Sequence, residues 1–151
     1  MATSNDHAEA DRLGRKRARM LPFLAVIFLT QQASFFSLDD QSNLTRTVDH
    51  VKVSAWLVLT IVLLAALWTG GFWLRSRAVR ALMDDEVTRA NRASALSLGF
   101  LLSMVAAIIL YIVAMVQPIG IKLALHTIVT AGITGALIRF GMLERRAYRD
   151  G

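Results

Sequence analysis

Two stretches of the chain contain no charged residue over lengths that are unusual in a soluble domain. Residues 53–74 run for 22 residues and residues 94–116 for 23 residues without an Asp, Glu, Lys or Arg. A helix that crosses a bilayer needs about 20 consecutive, mainly apolar residues. Two further apolar runs, at 20–38 and 119–139, are of similar length. The four runs predict an all-α fold, an integral membrane four-helix bundle.

The side chains in these runs do not alternate between polar and apolar, as those of a membrane β-strand do. In lipid every backbone N–H and C=O needs a partner within the protein, and helices or closed barrels are the structures that supply one. The overall composition agrees with this prediction, since 55% of the residues are hydrophobic and 19% are charged. A soluble domain has about 25% charged residues. Helical spans therefore fit these runs better than strands do.

The polar stretches between the runs predict the remaining organisation. Residues 20–143 form the predicted four-helix domain, with an outer loop at 39–52 and a cytoplasmic helical segment at 75–93. A basic tail precedes this domain at 1–19, and a short tail follows it at 144–151. The extramembrane segments are too short to fold by themselves.

Basic residues are distributed unevenly around the runs, which predicts the orientation. Fourteen Lys and Arg residues lie on the side of the two tails and the 75–93 segment, and three lie on the other side. The excess of basic residues marks the cytoplasmic side, so both termini are predicted to be cytoplasmic in a multi-pass protein of the inner membrane. The alternative that 20–38 is a cleaved signal sequence is less favoured, because its apolar character resumes at Phe35 and gives it the length of a span.

A group of polar side chains lies at similar depth within three of the runs. Intramembrane ionisable residues usually face the bundle interior and mark function, and His126 is the one such group deep within a run. The same polar level includes Gln31, Gln32, Thr60 and Thr130. One hypothesis is a polar ligand site, a proton-sensitive switch or a pore lining. The other is interhelical hydrogen bonding alone, which contributes about 0.6 kcal/mol per bond on average.

The 75–93 segment has a helical pattern with one apolar and one charged face. The apolar side carries Val79, Met83, Val87 and Ala90. The charged side is a candidate docking surface for a cytoplasmic protein, formed by Arg80, Asp84, Asp85, Arg89 and Arg92. The alternative is a helix that lies on the membrane face and joins two spans. A metal site at 84–86 is not expected, because adjacent residues on a helix point about 100° apart.

Small residues are concentrated in the fourth run. Ala131 and Gly135, and likewise Gly132 and Ala136, are spaced four apart, which allows two helices to approach closely. Packing within the monomer is the favoured interpretation. A homodimer through this small-residue face of the fourth helix is the alternative.

Several classes of function are not expected. The chain contains no cysteine, which excludes disulfides and Cys-ligated metals, and it has no phosphate-binding loop and no assembled catalytic set. We therefore predict a non-enzymatic protein without a cofactor or metal site and without direct contact to nucleic acid. All acidic residues lie outside the four runs, so no buried carboxylate is expected.

The stretch LMDDEVTRANRA at 82–93, directly before an apolar span, resembles a group of small bacterial inner-membrane proteins of unknown function. The similarity rests on Asp85, Glu86 and Ala93. These proteins have four predicted helices and are often encoded beside a transcription regulator. The resemblance implies a membrane protein that binds such a regulator.

The leading hypothesis is thus a membrane-bound regulator whose cytoplasmic face binds a partner such as a transcription regulator. A small transporter or channel-like subunit that uses the polar level around His126 is the first alternative. An accessory subunit of a larger membrane complex is the second.

Overall fold

The computed structural model describes residues 4–38, 46–70 and 86–149. They form four helices, and no strand occurs within these ranges. Helix α1 spans Ser4–Leu38, α2 spans Arg46–Thr69, α3 spans Glu86–Ala114 and α4 spans Ile121–Arg149. The prediction of an all-α fold with four helices is confirmed.

The helices extend beyond the apolar runs at several ends. Helix α1 begins 16 residues before its run, and α3 includes residues 86–93 of the segment that was predicted to be a separate cytoplasmic helix. Helix α4 continues through residues 144–149, which were predicted to be part of a tail. The part of the 75–93 segment that precedes residue 86 lies outside the described residues.

Contacts between the helices show that successive helices alternate in direction. Arg17 of α1 pairs with Glu144 of α4, and Pro22 of α1 lies against Gly141 of α4. The two helices are therefore antiparallel. The α3 and α4 pair is antiparallel in the same way. Helix α2 runs parallel to α4, because Gly70 lies beside Arg17 at one end and Trp56 stacks on His126 further along. The start of α3 and the end of α2 therefore lie at the same end of the bundle.

Helix α4 is the central helix, with α1 and α3 packed along it and α2 touching it more sparsely. The apolar stripe of α4 that fills the core repeats at intervals of three or four residues, as one helical face requires. The largest buried apolar side chains are Phe28, Leu67, Leu137 and Phe140. Ala95 of α3 belongs to the same cluster, so all four helices contribute to one core.

The seam between α3 and α4 depends on glycine. A Cβ atom on Gly99 would lie 2.7 Å from the carbonyl oxygen of Gly132 and 2.9 Å from Cβ of Ala136. Ser103 Oγ donates a hydrogen bond to the Ile128 carbonyl across the same seam, at 3.2 Å. Gly132, Gly135 and Ala136 of the fourth run therefore pack against α3 within the chain.

Pro22 lies inside α1, where a proline removes the N–H that would bond the carbonyl four residues earlier. That carbonyl belongs to Ala18, and it accepts a hydrogen bond from Arg145 Nε of α4 at 3.1 Å. The proline ring itself packs against Gly141, where an added Cβ would lie 2.7 Å from the ring. A side chain of α4 thus replaces the missing backbone bond, and this fixes α1 against α4.

The outer surface of the bundle is apolar. Two helices, Glu86–Ala114 and the Ile121–Ala147 part of α4, are long and apolar enough to cross a membrane. Only 6% of the most apolar stretch of the first of them is buried within the chain, so most of this helix faces outward. Side chains such as Phe100, Ile108 and Ile112 are more than half exposed on its outer face.

Candidate functional site

A column of polar side chains lies inside the bundle, between α1, α2 and α4. Four of the five residues predicted from the sequence to form a polar level are buried, and the fifth, Gln31, is partly buried. Trp56 and Thr134 complete the column. We call this set the polar column, and its members are Gln32, Trp56, Thr60, His126, Thr130 and Thr134.

The height of each member follows from the alternating directions of the helices. Gln32 lies ten residues beyond Pro22, and Thr130 lies eleven residues before Gly141. Because Pro22 contacts Gly141 and each residue rises about 1.5 Å, Gln32 and Thr130 lie at nearly the same height. The imidazole of His126 stacks on the indole of Trp56 at the far end of the column, with ring centroids 4.0 Å apart.

Most polar atoms of the column have no hydrogen-bond partner among the described residues. This holds for both amide atoms of Gln32, the indole Nε1 of Trp56 and the three threonine hydroxyls. Each buried polar group left without a partner costs about 1–3 kcal/mol. Native structures contain few such groups, and they often mark a site that takes water or a ligand. The column therefore has the donors and acceptors of a binding site for a polar molecule.

Trp56 packs against the core, and its indole N–H is buried. The reason is its position three or four residues from Leu59 and Thr60 on the inward face of α2. The spacing of Trp56 and Thr60 is the sequence signal that could have placed the tryptophan in the column.

The predicted docking surface is described only in part. Arg80, Asp84 and Asp85 lie outside the described residues, as do Val79 and Met83. Arg89 is exposed and Arg92 is partly buried.

On the first turns of α3, the predicted apolar positions Val87 and Ala90 are exposed. The face that turns toward the bundle carries the polar side chains Thr88 and Asn91.

A second polar site lies at the end of the bundle where α2 ends and α3 begins. Arg17 and Glu144 form an ion pair although they are only 8% and 2% exposed. Arg17 Nη1 donates to the Gly70 carbonyl at 3.2 Å and Arg17 Nη2 to Thr88 Oγ1 at 3.3 Å. Asn91 Nδ2 donates to the other oxygen of Glu144 at 3.3 Å. These five residues form what we call the Arg17 cluster, and it joins all four helices.

Backbone conformation and aromatic packing both help to place the arginine. Gly70 has φ of +72°, the left-handed conformation that commonly ends a helix and that glycine adopts without strain. This turn places the Gly70 carbonyl beside the guanidinium. The guanidinium carbon also lies 5.2 Å from the ring centroid of Phe140, within the range of a cation–π contact.

The expectation that no carboxylate is buried is wrong. It assumed that residues beyond an apolar run belong to a tail, whereas α4 continues to Arg149 and presents Glu144 to the core. Leu137, Phe140 and Glu144 follow one another at intervals of three and four residues, the spacing of a single helical face. Extending the apolar stripe of α4 past the end of its run would have found this carboxylate.

Comparison with protein-family models, with curated protein sequences and with solved structures finds no match to this chain. Arguments about function therefore start from the polar column and the Arg17 cluster.

Proposed function

We propose that the chain is an integral inner-membrane protein that crosses the bilayer four times, with both termini in the cytoplasm. The exposed apolar face of α3 supports this proposal, because a soluble protein rarely exposes so large an apolar surface. The imbalance of 14 basic residues against 3 supports the orientation. The alternating helix directions agree with it, since they bring the start of the bundle and its last turns to the same end.

Reporter fusions test this topology. A reporter that is active only in the periplasm should give no signal when it is fused after Gly151 and a strong signal when it is inserted at Asn43. The control is a cytoplasm-active reporter at the same two positions, which should give the opposite pattern. A periplasmic signal at Gly151 would contradict the proposal, because it requires an odd number of spans.

Within this membrane protein, we propose that the polar column carries a small, uncharged, hydrogen-bonding solute such as a polyol or an amide. The observation that supports this function is the set of buried polar atoms without partners at matched heights on three helices. The column contains no Asp, Glu, Lys or Arg, and a charged solute would lack the countercharge that a buried ion needs. A neutral solute satisfies the column's donors and acceptors without that cost. The protein is therefore transporter- or channel-like and non-enzymatic.

Solute flux into vesicles tests this function. Proteoliposomes that contain the purified chain should swell faster in glycerol or urea gradients than protein-free vesicles, as measured by stopped-flow light scattering. The double variant Gln32→Leu with Thr130→Val should lower the rate toward that of the protein-free vesicles, because it removes a facing pair of polar groups. The matched control Thr127→Val changes a threonine one turn from Thr130 that lies outside the column and bonds its own helix. Equal swelling with and without the protein, for every neutral solute tried, would contradict the proposal.

A cytoplasmic partner is the second candidate function, and the exposed Arg89 at the start of α3 favours it. A docking surface does not tolerate charge reversal, because juxtaposed like charges across an interface cost several kcal/mol. The variant Asp84→Lys with Asp85→Lys should therefore lose any cytoplasmic protein that co-purifies with the wild type, at equal expression. Unchanged co-purification, or none with either protein, would contradict this second function.

A further inference from the structure

The Arg17 cluster and the polar column are separated by a layer of buried apolar side chains. Thr60 and Thr134 each lie ten residues along their helices from the cluster residues Gly70 and Glu144, or about 15 Å. The intervening turns contribute Leu63 and Leu67 from α2 and Leu137 and Phe140 from α4, all buried. A solute that enters the column must therefore pass this layer to reach the end of the bundle that holds the cluster.

The contacts of the cluster determine whether this layer stays closed. Arg17 contacts the last turn of α2 through the Gly70 carbonyl and α3 through Thr88. Its ion pair with Glu144 holds these two elements to the central helix. Helix α2 packs on α4 more sparsely than α1 and α3 do, and the bond from Arg17 to the Gly70 carbonyl is one of the contacts that hold its end.

The two sites also oppose each other energetically. Opening the bundle would hydrate the polar atoms of the column that have no partner among the described residues, which favours an open state. The same opening would separate the Arg17–Glu144 pair and break the hydrogen bonds of Arg17 to Gly70 and Thr88, which disfavours it. A structure in which one region favours opening and another resists it has the elements of a two-state gate.

We propose that the Arg17–Glu144 ion pair is the gate that closes the cytoplasmic end of the polar column. This inference rests on the proposed function, since it concerns access to the same solute site. Separation of the pair releases the end of α2 from α1 and α4 and opens the apolar layer to the cytoplasm. Arg17 and Glu144 act on the solute path without touching the solute.

The absence of cysteine from the chain makes the gate directly testable by thiol labelling. A single cysteine introduced as Thr134→Cys lies in the column, beyond the apolar layer when viewed from the cluster. A charged, membrane-impermeant methanethiosulfonate reagent is applied to the cytoplasmic face of inside-out vesicles. Arg146→Cys, at an exposed position near the cluster, gives the labelling rate of an accessible thiol.

In the otherwise wild-type chain, the cysteine at position 134 should label slowly. Adding Glu144→Gln should raise its labelling rate at least about tenfold, because it leaves a buried arginine without its counterion. Asn91→Ala removes one hydrogen bond to Glu144 and should give a smaller, several-fold increase. If the Glu144→Gln variant does not accumulate, the labelling rate of Asn91→Ala relative to the wild type still tests the gate.

Glu86→Gln is the matched control, because it makes the same substitution at an exposed glutamate near the same end of the bundle. It should label at the wild-type rate. Equal rates for the wild type, Glu144→Gln and Asn91→Ala would overturn the gate, and so would an increase with Glu86→Gln as large as that with Glu144→Gln. The labelling needs no solute, so the gate can fail while the flux assay succeeds. Faster labelling without any flux would instead overturn the proposed function and support the gate.

Discussion

The bundle contains two buried polar regions that differ in how far their polar groups are hydrogen-bonded. In the Arg17 cluster a full charge of each sign is buried, one from α1 and one from α4, and the Gly70 carbonyl at the end of α2 and two side chains of α3 bond to the pair. In the polar column the groups are uncharged, and most have no partner within the described part of the chain. The first region therefore joins the helices to one another, whereas the second carries a cost in stability that agrees with the solute site proposed for it.

Breaking the ion pair should give the largest effect on stability. Glu144→Gln or Arg17→Met alone leaves an uncompensated buried partner and should lower the free energy of unfolding by about 3–5 kcal/mol. Replacing both residues by methionine should recover most of this loss, because a buried pair exchanged for apolar side chains is often neutral. Unfolding in detergent micelles, followed by circular dichroism, measures both effects.

Arg146→Met is the control for this series, since Arg146 is exposed and such changes usually stay within about 0.5 kcal/mol. If the single variants are as stable as this control, the cluster does not hold the helices together and the comparison between the two regions fails.

The column was largely predictable from the sequence, and the reason is physical. Polar side chains within an uncharged apolar run have no solvent to face, so Gln32, Thr60 and His126 had to turn inward. The spacing of His126 and Thr130 placed them on one face of a helix. Their common height on three helices then followed once the runs were assigned alternating directions.

The Arg17 cluster was not predicted, because charged residues outside an apolar run are ordinarily solvated. Arg17 was counted among the basic residues that indicate topology, and Glu144 was assigned to a tail. Neither residue type indicates burial by itself. Only the continuation of α1 and α4 past the ends of their runs brings the two charges together, and both residues lie beyond the stretches from which the spans were predicted.

The seam between α3 and α4 is packed on glycine, and widening it should give the next largest effect. Gly99→Val would place side-chain atoms against the backbone of Gly132, and overpacking of this kind costs about 1–3 kcal/mol. The matched control is Gly120→Val, because nothing lies within 4 Å of a Cβ built there. Equal unfolding free energies for the two variants would show that the close contact between the helices does not contribute to stability.

The same substitution, Thr→Val, should change the free energy of unfolding in opposite directions in the two regions. Thr88→Val removes a hydroxyl that accepts a hydrogen bond from Arg17 and should destabilise the chain by about 1 kcal/mol. Thr130→Val removes a buried hydroxyl that has no partner among the described residues and should stabilise the chain by up to about 1 kcal/mol. Unfolding measurements on the two variants under one set of conditions decide the sign. A loss at Thr130 equal to that at Thr88 would mean that the column satisfies its own hydrogen bonds.

His126→Leu should have the smallest effect on stability, although it changes the most polar side chain of the column. A single interhelical hydrogen bond in a membrane protein contributes about 0.6 kcal/mol on average, and leucine is cheaper to place in lipid than histidine. The substitution also removes the stacking of the imidazole on Trp56. His126→Phe keeps an aromatic ring at this position, so comparing the two variants separates the effect of stacking from that of the polar nitrogens. Both variants should accumulate in the membrane at the wild-type level and unfold within about 1 kcal/mol of it, while the rate of solute flux falls. If neither variant accumulates, His126 is needed for folding, as the residues of the Arg17 cluster are.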